Sequence, residues 1–290
     1  MRLVTRSATF EFPARPLVMG IVNLGADSFS GDGLTDIDAA IERARSHIAD
    51  GAGFVDVGAE SARTNRAPIS EEEETAQLLR FLERWPDLQA SFAAAGGRPP
   101  QLSINTWRPA VARDVLSVGG DLLNDLGALP TDDNARICAG TGAALLIMHS
   151  IGVPKVAHTH VGYDDVMARL EEFFTVRLAL AEAAGLPRDA IVLDPGIDFA
   201  KQREDNLRIF RELDRLARFE RPILLPVSRK TVIGEVLGLE NPADRDAGTV
   251  ACIVQGMLRG ASIFRVHNVR AAVQTVRMID AIESAPIPSA

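Results

Sequence analysis

Two patterns of hydrophobic and polar residues alternate along the chain. Eight times, a short apolar run typical of a buried strand leads into an amphipathic stretch typical of a surface helix. In chain order the runs are MGIVN, FVDVG, LSIN, DLLN, AALLIM, IVLDPG, PILLPV and SIFRVH. Strands that alternate with helices form parallel sheets, and eight such units close into a barrel. The pattern predicts an α/β fold, a single (β/α)8 TIM-barrel domain over residues 1–290 with its core at about 16–285.

Polar residues that could take part in binding or catalysis stand at the C-terminal ends of these runs. They are Asn23, Asp56, Asn105, Asn124, Asp125, His149, Asp194, Arg229, Lys230, Arg265 and His267. In barrels of this kind the chemistry gathers on the face formed by the C-terminal ends of the strands. We therefore expect one active site on that face.

Composition and charge narrow the class of protein. The chain has 47% hydrophobic and 24% charged residues, as in globular domains, and a net charge of −8 that disfavours nucleic acids and anionic membranes as partners. Cys138 and Cys252 are the only cysteines, which predicts no disulfide framework. The start MRLVTRSATFEF lacks signal-peptide features, and no run approaches the roughly 20 apolar residues of a membrane span. A cytoplasmic protein is expected.

Two basic clusters could bind phosphate. Ser228, Arg229 and Lys230 follow the seventh run, and Arg265 and His267 end the eighth. The loops after strands seven and eight of such barrels often form a phosphate site. Alternatively, the arginines brace the strand ends through ion pairs. Spacing alone leaves both interpretations open.

A second group could hold a flat, nitrogen-rich ring. Asn124, Asp125 and Asp194 offer amide and carboxylate groups that match the alternating donors and acceptors of a heterocycle edge. An internal hydrogen-bond network would use the same residues. His149 could act as a base or stabilise a strand end, and His158 with His160 is too sparse for a metal site.

Seven fragments in order resemble the dihydropteroate synthase family. They are MGIVNLGADSFSGDG, DVGAESAR, LNDL, MHSIGVPK, LDPGIDFAK, PVSRKTVIGEVLG and FRVH, and the resemblance covers almost the whole chain. It implies an enzyme that condenses 6-hydroxymethyl-7,8-dihydropterin diphosphate with p-aminobenzoate and releases diphosphate. It also implies Mg²⁺ as cofactor, small-molecule substrates and a homodimer.

The same resemblance implies roles for individual residues. Asn23 would bind Mg²⁺ on the leaving diphosphate, and Arg63, Arg265 and His267 would contact the anion. The pterin would lie against Asn124 and Asp194 between apolar walls, and the second substrate would lie near Lys230 and residues of the first loop. Those pterin walls and second-substrate contacts are, in chain order, Asp27, Phe29, Met148, Phe199, Ser228 and Lys230.

Several positions depart from the pattern of the family. Asn105 stands where aspartate is usual, which removes a negative charge beside the pterin, and Ala62 replaces a threonine whose hydroxyl would contact diphosphate. Asp198 and Ala200 replace glycines, and Pro226 replaces another. By the resemblance, the catalytic candidates are Lys230, Asn105, Arg63 and Asp27.

Alternatives remain at this point. A pterin-dependent methyltransferase would share a pterin-holding barrel but would not need the cationic diphosphate side. A divergent paralogue could bind a pterin without synthase activity, and a sulfonamide-insensitive isozyme could admit p-aminobenzoate while rejecting the drug.

Overall fold

A barrel of parallel strands surrounded by helices organises the molecule. The computed structural model describes residues 1–13, 15–25, 36–61, 67–94, 99–156 and 161–286. Its strands are β1 (Arg2–Val4), β2 (Thr9–Glu11), β3 (Leu17–Asn23), β4 (Phe54–Gly58), β5 (Gln101–Asn105), β6 (Leu122–Asp125), β7 (Ala144–Met148), β8 (Ile191–Asp194), β9 (Leu224–Leu225) and β10 (Ile263–Val266). Its α-helices are α1 (Ile37–Ala49), α2 (Glu71–Ala94), α3 (Pro109–Val118), α4 (Asp133–Thr141), α5 (Val166–Ala183), α6 (Arg203–Glu212), α7 (Thr231–Leu237), α8 (Asp246–Leu258) and α9 (Val269–Glu283).

The eight strands β3 to β10 pair in parallel around the barrel. Their order is β8-β7-β6-β5-β4-β3-β10-β9, and a parallel bridge from Leu193 in β8 to Ile223 just before β9 joins the two ends. Each predicted apolar run contributes one of these strands. The (β/α)8 prediction is therefore confirmed.

The alternation of side chains along the strands creates two cores. Successive residues of a strand point to opposite faces, and the strands of an α/β barrel are buried on both faces. Inside the barrel lies a small apolar cluster around Met19, Phe54, Leu122 and Leu146. Outside it, the opposite faces of the strands pack against the helices and form the larger core. By the same alternation, the residues two positions further along each strand, toward its C-terminal end, face the mouth of the barrel.

The N-terminal hairpin closes the other end of the barrel. Strands β1 and β2 pair antiparallel, and Leu3, Phe10 and Phe12 join the inner apolar cluster. The ring of Phe10 lies 5.6 Å from that of Phe54, centroid to centroid. Because this plug fills the N-terminal end, the mouth at the C-terminal ends of the strands is left to form a site. The strand pattern alone had not predicted the hairpin.

Helix boundaries follow the local signals in the sequence. Pro109 occupies the first turn of α3, and Asp165 caps α5 by accepting the amide hydrogens of Met167 and Ala168. The helical stretch after β8 divides into α6 and a 3₁₀ segment from Leu213 to Phe219, a division that the pattern of apolar residues had not predicted. None of the helices in the described ranges is long and apolar enough to cross a membrane.

Phe10→Ala tests the role of the hairpin as a plug. The side chain is 6% exposed, and removing a buried phenyl ring should lower the free energy of unfolding by about 3 kcal/mol. Chemical denaturation measures this change. Ligand affinity at the opposite face should stay at the wild-type value, and a large loss of affinity in the folded variant would show that the plug also shapes the site.

Candidate active site

A buried carboxylate lies at the centre of the barrel mouth. Asp56 stands two residues after Phe54 in β4 and is completely buried. Its oxygens accept hydrogen bonds from Ser103 Oγ at 2.5 Å and Arg265 Nε at 2.7 Å. They also accept the side-chain amides of Asn124 at 3.1 Å and Asn105 at 3.2 Å. Four donors from three other strands, one of them a cation, thus compensate its charge.

Asp56 determines which end of each amide side chain faces the site. A carboxylate only accepts hydrogen bonds, so Asn105 and Asn124 must turn their nitrogens toward it. Both Oδ1 atoms are then buried, and neither accepts a hydrogen bond from any described residue. Buried acceptors without donors are uncommon in native proteins. The pair, which face each other in the register of β5 and β6, therefore present two acceptors to a ligand with N–H groups.

Asn105 has space because its neighbour lacks a side chain. Gly58 in β4 pairs with Asn105 in β5, and a Cβ atom at Gly58 would lie 3.1 Å from Asn105 Cβ. This spacing is tighter than ordinary van der Waals contact. The glycine thus allows the Asn105 side chain to lie flat against β4 and reach Asp56.

Asp194 provides a second carboxylate at the end of β8. It accepts the amide hydrogen of Gly196 at 2.7 Å and is 2% exposed. Burial raises its pKa to about 6, opposed by that hydrogen bond and by the charges of Lys230, Lys201 and Arg265. The carboxyl group can therefore change protonation state near neutral pH.

Lys230 reaches across the mouth from the start of α7. Its Nζ donates to the carbonyl oxygen of Ile197 at 2.7 Å and lies 4.9 Å from the centroid of the Phe199 ring. Phe199 packs against the inner apolar cluster, which includes the fully buried Met148 at the end of β7. Lys230, Phe199 and Met148 thus form one wall, cationic at its outer end and apolar below.

Ser228 and His267 form a hydrogen-bonded pair on the β9–β10 side. Ser228 Oγ accepts the backbone amide of His267 at 3.1 Å and lies 2.8 Å from its ring Nδ1. A serine oxygen has two lone pairs, so it can accept both N–H groups or donate its hydroxyl hydrogen to Nδ1, depending on the tautomer of the ring. The pair fixes the orientation of the imidazole ring on this side of the mouth.

Arg229 and Arg265, the arginines of the two basic clusters, bind different partners. Arg229 forms an ion pair with Asp246 at 2.8 Å, which is the bracing role that the alternative interpretation expected. Arg265 binds Asp56 through Nε, and its two terminal amino groups make no hydrogen bond with any described residue. Arg265 can therefore hold a buried carboxylate and an external anion at once.

Two other predicted residues serve the framework. Asp125 accepts the amide of Gly127 at 2.7 Å and the Asn134 side chain at 3.0 Å, so it stabilises the β6–α4 connection outside the barrel. Burial raises its pKa to about 6. His149 lies at the end of β7, with its ring edge-on to Phe173 at 4.8 Å between centroids. Burial lowers the pKa of His149 to about 2, so the ring is neutral and stabilises the strand end.

Lys201 is a buried lysine that sequence reasoning had not singled out. Its Nζ contacts His149 Nδ1 and the carbonyl oxygen of Gly196, each at 2.9 Å, and the carbonyl oxygen of Phe199 at 3.0 Å. Burial lowers its pKa to about 7. Only its position shortly after the LDPG segment could have drawn attention to this lysine. Nothing in the spacing of the sequence indicates that its side chain is buried.

Four predicted site residues lie outside the described part of the chain: Asp27, Phe29, Ala62 and Arg63. Asn23 ends β3, on the strand face that also carries Met19. No group of three or more His, Cys, Asp or Glu residues that could hold a metal occurs within the described ranges.

Comparison with known proteins identifies the family. A family model described as pterin binding enzyme matches residues 19–267. The chain is 33% identical to the dihydropteroate synthase of Escherichia coli K12 over 286 residues, which cover 98% of both proteins. The chain belongs to the dihydropteroate synthase family of pterin-binding enzymes.

Further members show the same relationship. A mitochondrial folate synthesis bifunctional protein of Arabidopsis thaliana is 36% identical over 289 residues, where the match covers 94% of this chain and half of that protein. The Xanthomonas albilineans dihydropteroate synthase, solved in complex with 7,8-dihydropteroate, superimposes with a TM-score of 0.83 at 33% identity. That match covers 99% of this chain and 100% of the other.

A carboxylate at position 105 should conflict with Asp56. In Asn105→Asp the new carboxyl group would replace an amide that lies 3.2 Å from Asp56, and two carboxylates at that separation share one proton. The shared proton binds more tightly in the folded than in the unfolded protein. Stability relative to wild type should therefore be lost as the pH rises from about 4 to 8, measured by thermal unfolding.

The double variant Asp56→Asn/Asn105→Asp is the matched control. It exchanges the carboxylate and the amide across the same pair and keeps one charge near Arg265. We expect it to recover most of the stability lost at pH 8. If it unfolds as easily as the single variant, repulsion between the carboxylates is not the cause.

Proposed function

We propose that this protein condenses 6-hydroxymethyl-7,8-dihydropterin diphosphate with p-aminobenzoate and releases diphosphate. The observation that carries the proposal is the pair of buried, unpartnered oxygens of Asn105 and Asn124 beside the Asp194 carboxylate. Membership of the dihydropteroate synthase family supports it, as does the similarity to a structure solved with 7,8-dihydropteroate. Three acceptors at one mouth suit the N–H groups of a pterin.

The pterin ring would lie between the polar and the apolar walls. Asn124, Asn105 and Asp194 would accept its amino and ring N–H groups. Met148 and Phe199 would cover its faces, which matches a flat ring that needs hydrogen bonds only at its edge. The negative charge nearest to the methylene group would come from Asp56, through Asn105, because this chain lacks a carboxylate at position 105 itself.

The diphosphate would occupy the β3 and β10 side of the mouth. The terminal amino groups of Arg265 would donate to it, and by the resemblance the ring of His267 and Arg63 of the second loop would also contact it. Asn23 offers an amide oxygen, the type of donor that Mg²⁺ prefers, and Mg²⁺ usually keeps waters and substrate phosphates as its other ligands. The residues present thus fit a Mg²⁺ ion bound mainly to the diphosphate, where its charge would stabilise the leaving group.

The chemistry needs no covalent enzyme intermediate. The C–O bond to diphosphate breaks first, and the electron pair leaves with the diphosphate oxygen. The nitrogen lone pair of p-aminobenzoate then forms the C–N bond with the cationic methylene carbon and loses one proton. The protein contributes fixed charges and donors around the departing anion, which lowers the barrier without reorganisation.

The second substrate would bind outside the pterin. Lys230 would lie between the two regions, and Phe199 and Ser228 would line the side nearest α7. By the resemblance, Asp27 and Phe29 of the first loop would close over the second substrate. By the resemblance we also expect the protein to form a homodimer.

Diphosphate release tests the function directly. Purified protein with the pterin diphosphate, p-aminobenzoate and Mg²⁺ should release diphosphate and form dihydropteroate. Lys230→Ala and Arg265→Ala should each lower kcat/KM by about 100-fold, the usual scale for removing a charged contact to the transition state. Absence of product from folded wild-type protein would overturn the proposal, and full activity in both variants would place the site elsewhere.

The protonation of Asp194 should govern pterin affinity. Its pKa is raised to about 6, so its carboxylate, which would accept pterin N–H groups, forms as the pH rises through that value. The dissociation constant of 6-hydroxymethylpterin, measured by calorimetry, should therefore fall between about pH 5 and 7. Asp194→Asn should bind more weakly and lose this dependence; an unchanged dependence would assign it to another group.

A further inference from the structure

The connection after β8 contains a residue in a costly conformation. Asp198 has a φ of 67°, in the left-handed region, and stands where the family resemblance expects glycine. A non-glycine residue rarely adopts this region, although aspartate tolerates it better than most. Such conformations persist where the surroundings hold them in place.

Asp198 is held against two helices. Its backbone amide donates to Asn206 Oδ1 at 2.9 Å, and its side chain accepts from Asn206 Nδ2 at 3.3 Å. This reciprocal pair fastens it to α6, where Asn206 is 2% exposed. Its carboxylate also accepts the backbone amides of Thr231 and Val232, the first two residues of α7.

These bonds replace a cap that α7 lacks. The residue before the helix is Lys230, whose side chain makes no capping hydrogen bond. Serine, threonine, aspartate or asparagine usually stands there and binds the first free amides with its own side chain. Here Asp198 supplies the acceptor from a different loop, and Lys230 can extend to Ile197 and Phe199 instead.

The β8–α6 loop and the start of α7 are therefore joined by a series of contacts. Ile197 accepts from Lys230 Nζ, Asp198 accepts from Thr231 and Val232, and the Phe199 ring lies under the Lys230 ammonium group. Three consecutive residues of the β8–α6 loop thus contact Lys230 and the first two residues of α7. A change at the middle contact would alter the path that Lys230 takes across the mouth.

We propose that Asp198 is a positioning residue that caps α7 from the β8–α6 loop and so fixes the Lys230 side chain over the site. The inference rests on the proposed function for the role of Lys230 in turnover. Asp198 itself contacts no substrate in this account. It acts through the backbone of Thr231 and Val232.

Asp198→Gly and Asp198→Asn separate the cap from the backbone conformation. Both residues tolerate the positive φ, but glycine has no acceptor, whereas asparagine keeps one carbonyl oxygen. We expect kcat for diphosphate release to fall about tenfold in Asp198→Gly and about threefold or less in Asp198→Asn. Equal losses in the two variants, or wild-type kcat in Asp198→Gly, would overturn the proposal.

A double-mutant cycle with Lys230→Ala tests whether the effect passes through Lys230. In that background Asp198→Gly should change the rate by less than about twofold, because the side chain that it positions is gone. Effects that multiply independently would contradict the proposal. Asp165→Gly is the matched control: it removes an aspartate cap from α5, so it should lower stability without any coupling to Lys230.

Amide hydrogen exchange gives a readout without turnover. Thr231 and Val232 should exchange faster in Asp198→Gly, less so in Asp198→Asn, and at the wild-type rate in Asp165→Gly. If wild-type protein releases no diphosphate, the proposed function fails, and the cycle is then read from the dissociation constant of 6-hydroxymethylpterin. Unchanged exchange in Asp198→Gly would refute the cap in either case.

Discussion

The buried charge of Asp56 is the constraint on which the barrel mouth depends. A carboxylate without water is strongly unfavourable unless donors and a compensating cation surround it. Ser103, Asn105, Asn124 and Arg265 meet that need from three other strands. In doing so they lose their freedom to rotate. The same interaction that neutralises one charge therefore orients the groups that face the ligand.

This arrangement explains how a neutral residue at position 105 can fit the site. Asn105 can donate to Asp56 and still offer an oxygen to the site, which a carboxylate at the same position could do only with a proton. The nearest carboxylate to Asn105 is that of Asp56, which pairs with Ser103 two residues deeper in the barrel. The site keeps its acceptors, and under the proposed function it would give less direct electrostatic stabilisation to a cationic pterin than a carboxylate at position 105 would.

The opposite wall is held by a second buried group. Lys201 binds two carbonyl oxygens of its own loop and the ring of His149, and this closes the connection after β8 into a compact turn. Gly196 is needed there, because a Cβ atom would lie 2.0 Å from the carbonyl oxygen of His149. Asp198 then joins this turn to α7. The buried carboxylate of Asp56 thus orients one wall and the buried amine of Lys201 holds the other, with the candidate site at the mouth of the barrel.

Much of the fold could be predicted from the sequence, because periodicity reports local geometry. The apolar runs gave the eight strands, and their ends gave the face on which Asn124 and Asp194 lie. The hairpin at the N-terminus and the division of the helix at Leu213 were missed. Both depend on what the segment packs against, which its own pattern does not record.

By itself, the sequence determined the order of strands and helices, the polar residues at the strand ends and the resemblance to a family. Only the tertiary structure decided which of those residues share a hydrogen bond. It assigned Arg265 to Asp56, Arg229 to Asp246 and Asp125 to the framework, although all three stand at similar positions in the sequence. The physical reason is that a strand end fixes where a side chain begins, while its partners come from neighbouring strands up to 209 residues away along the chain.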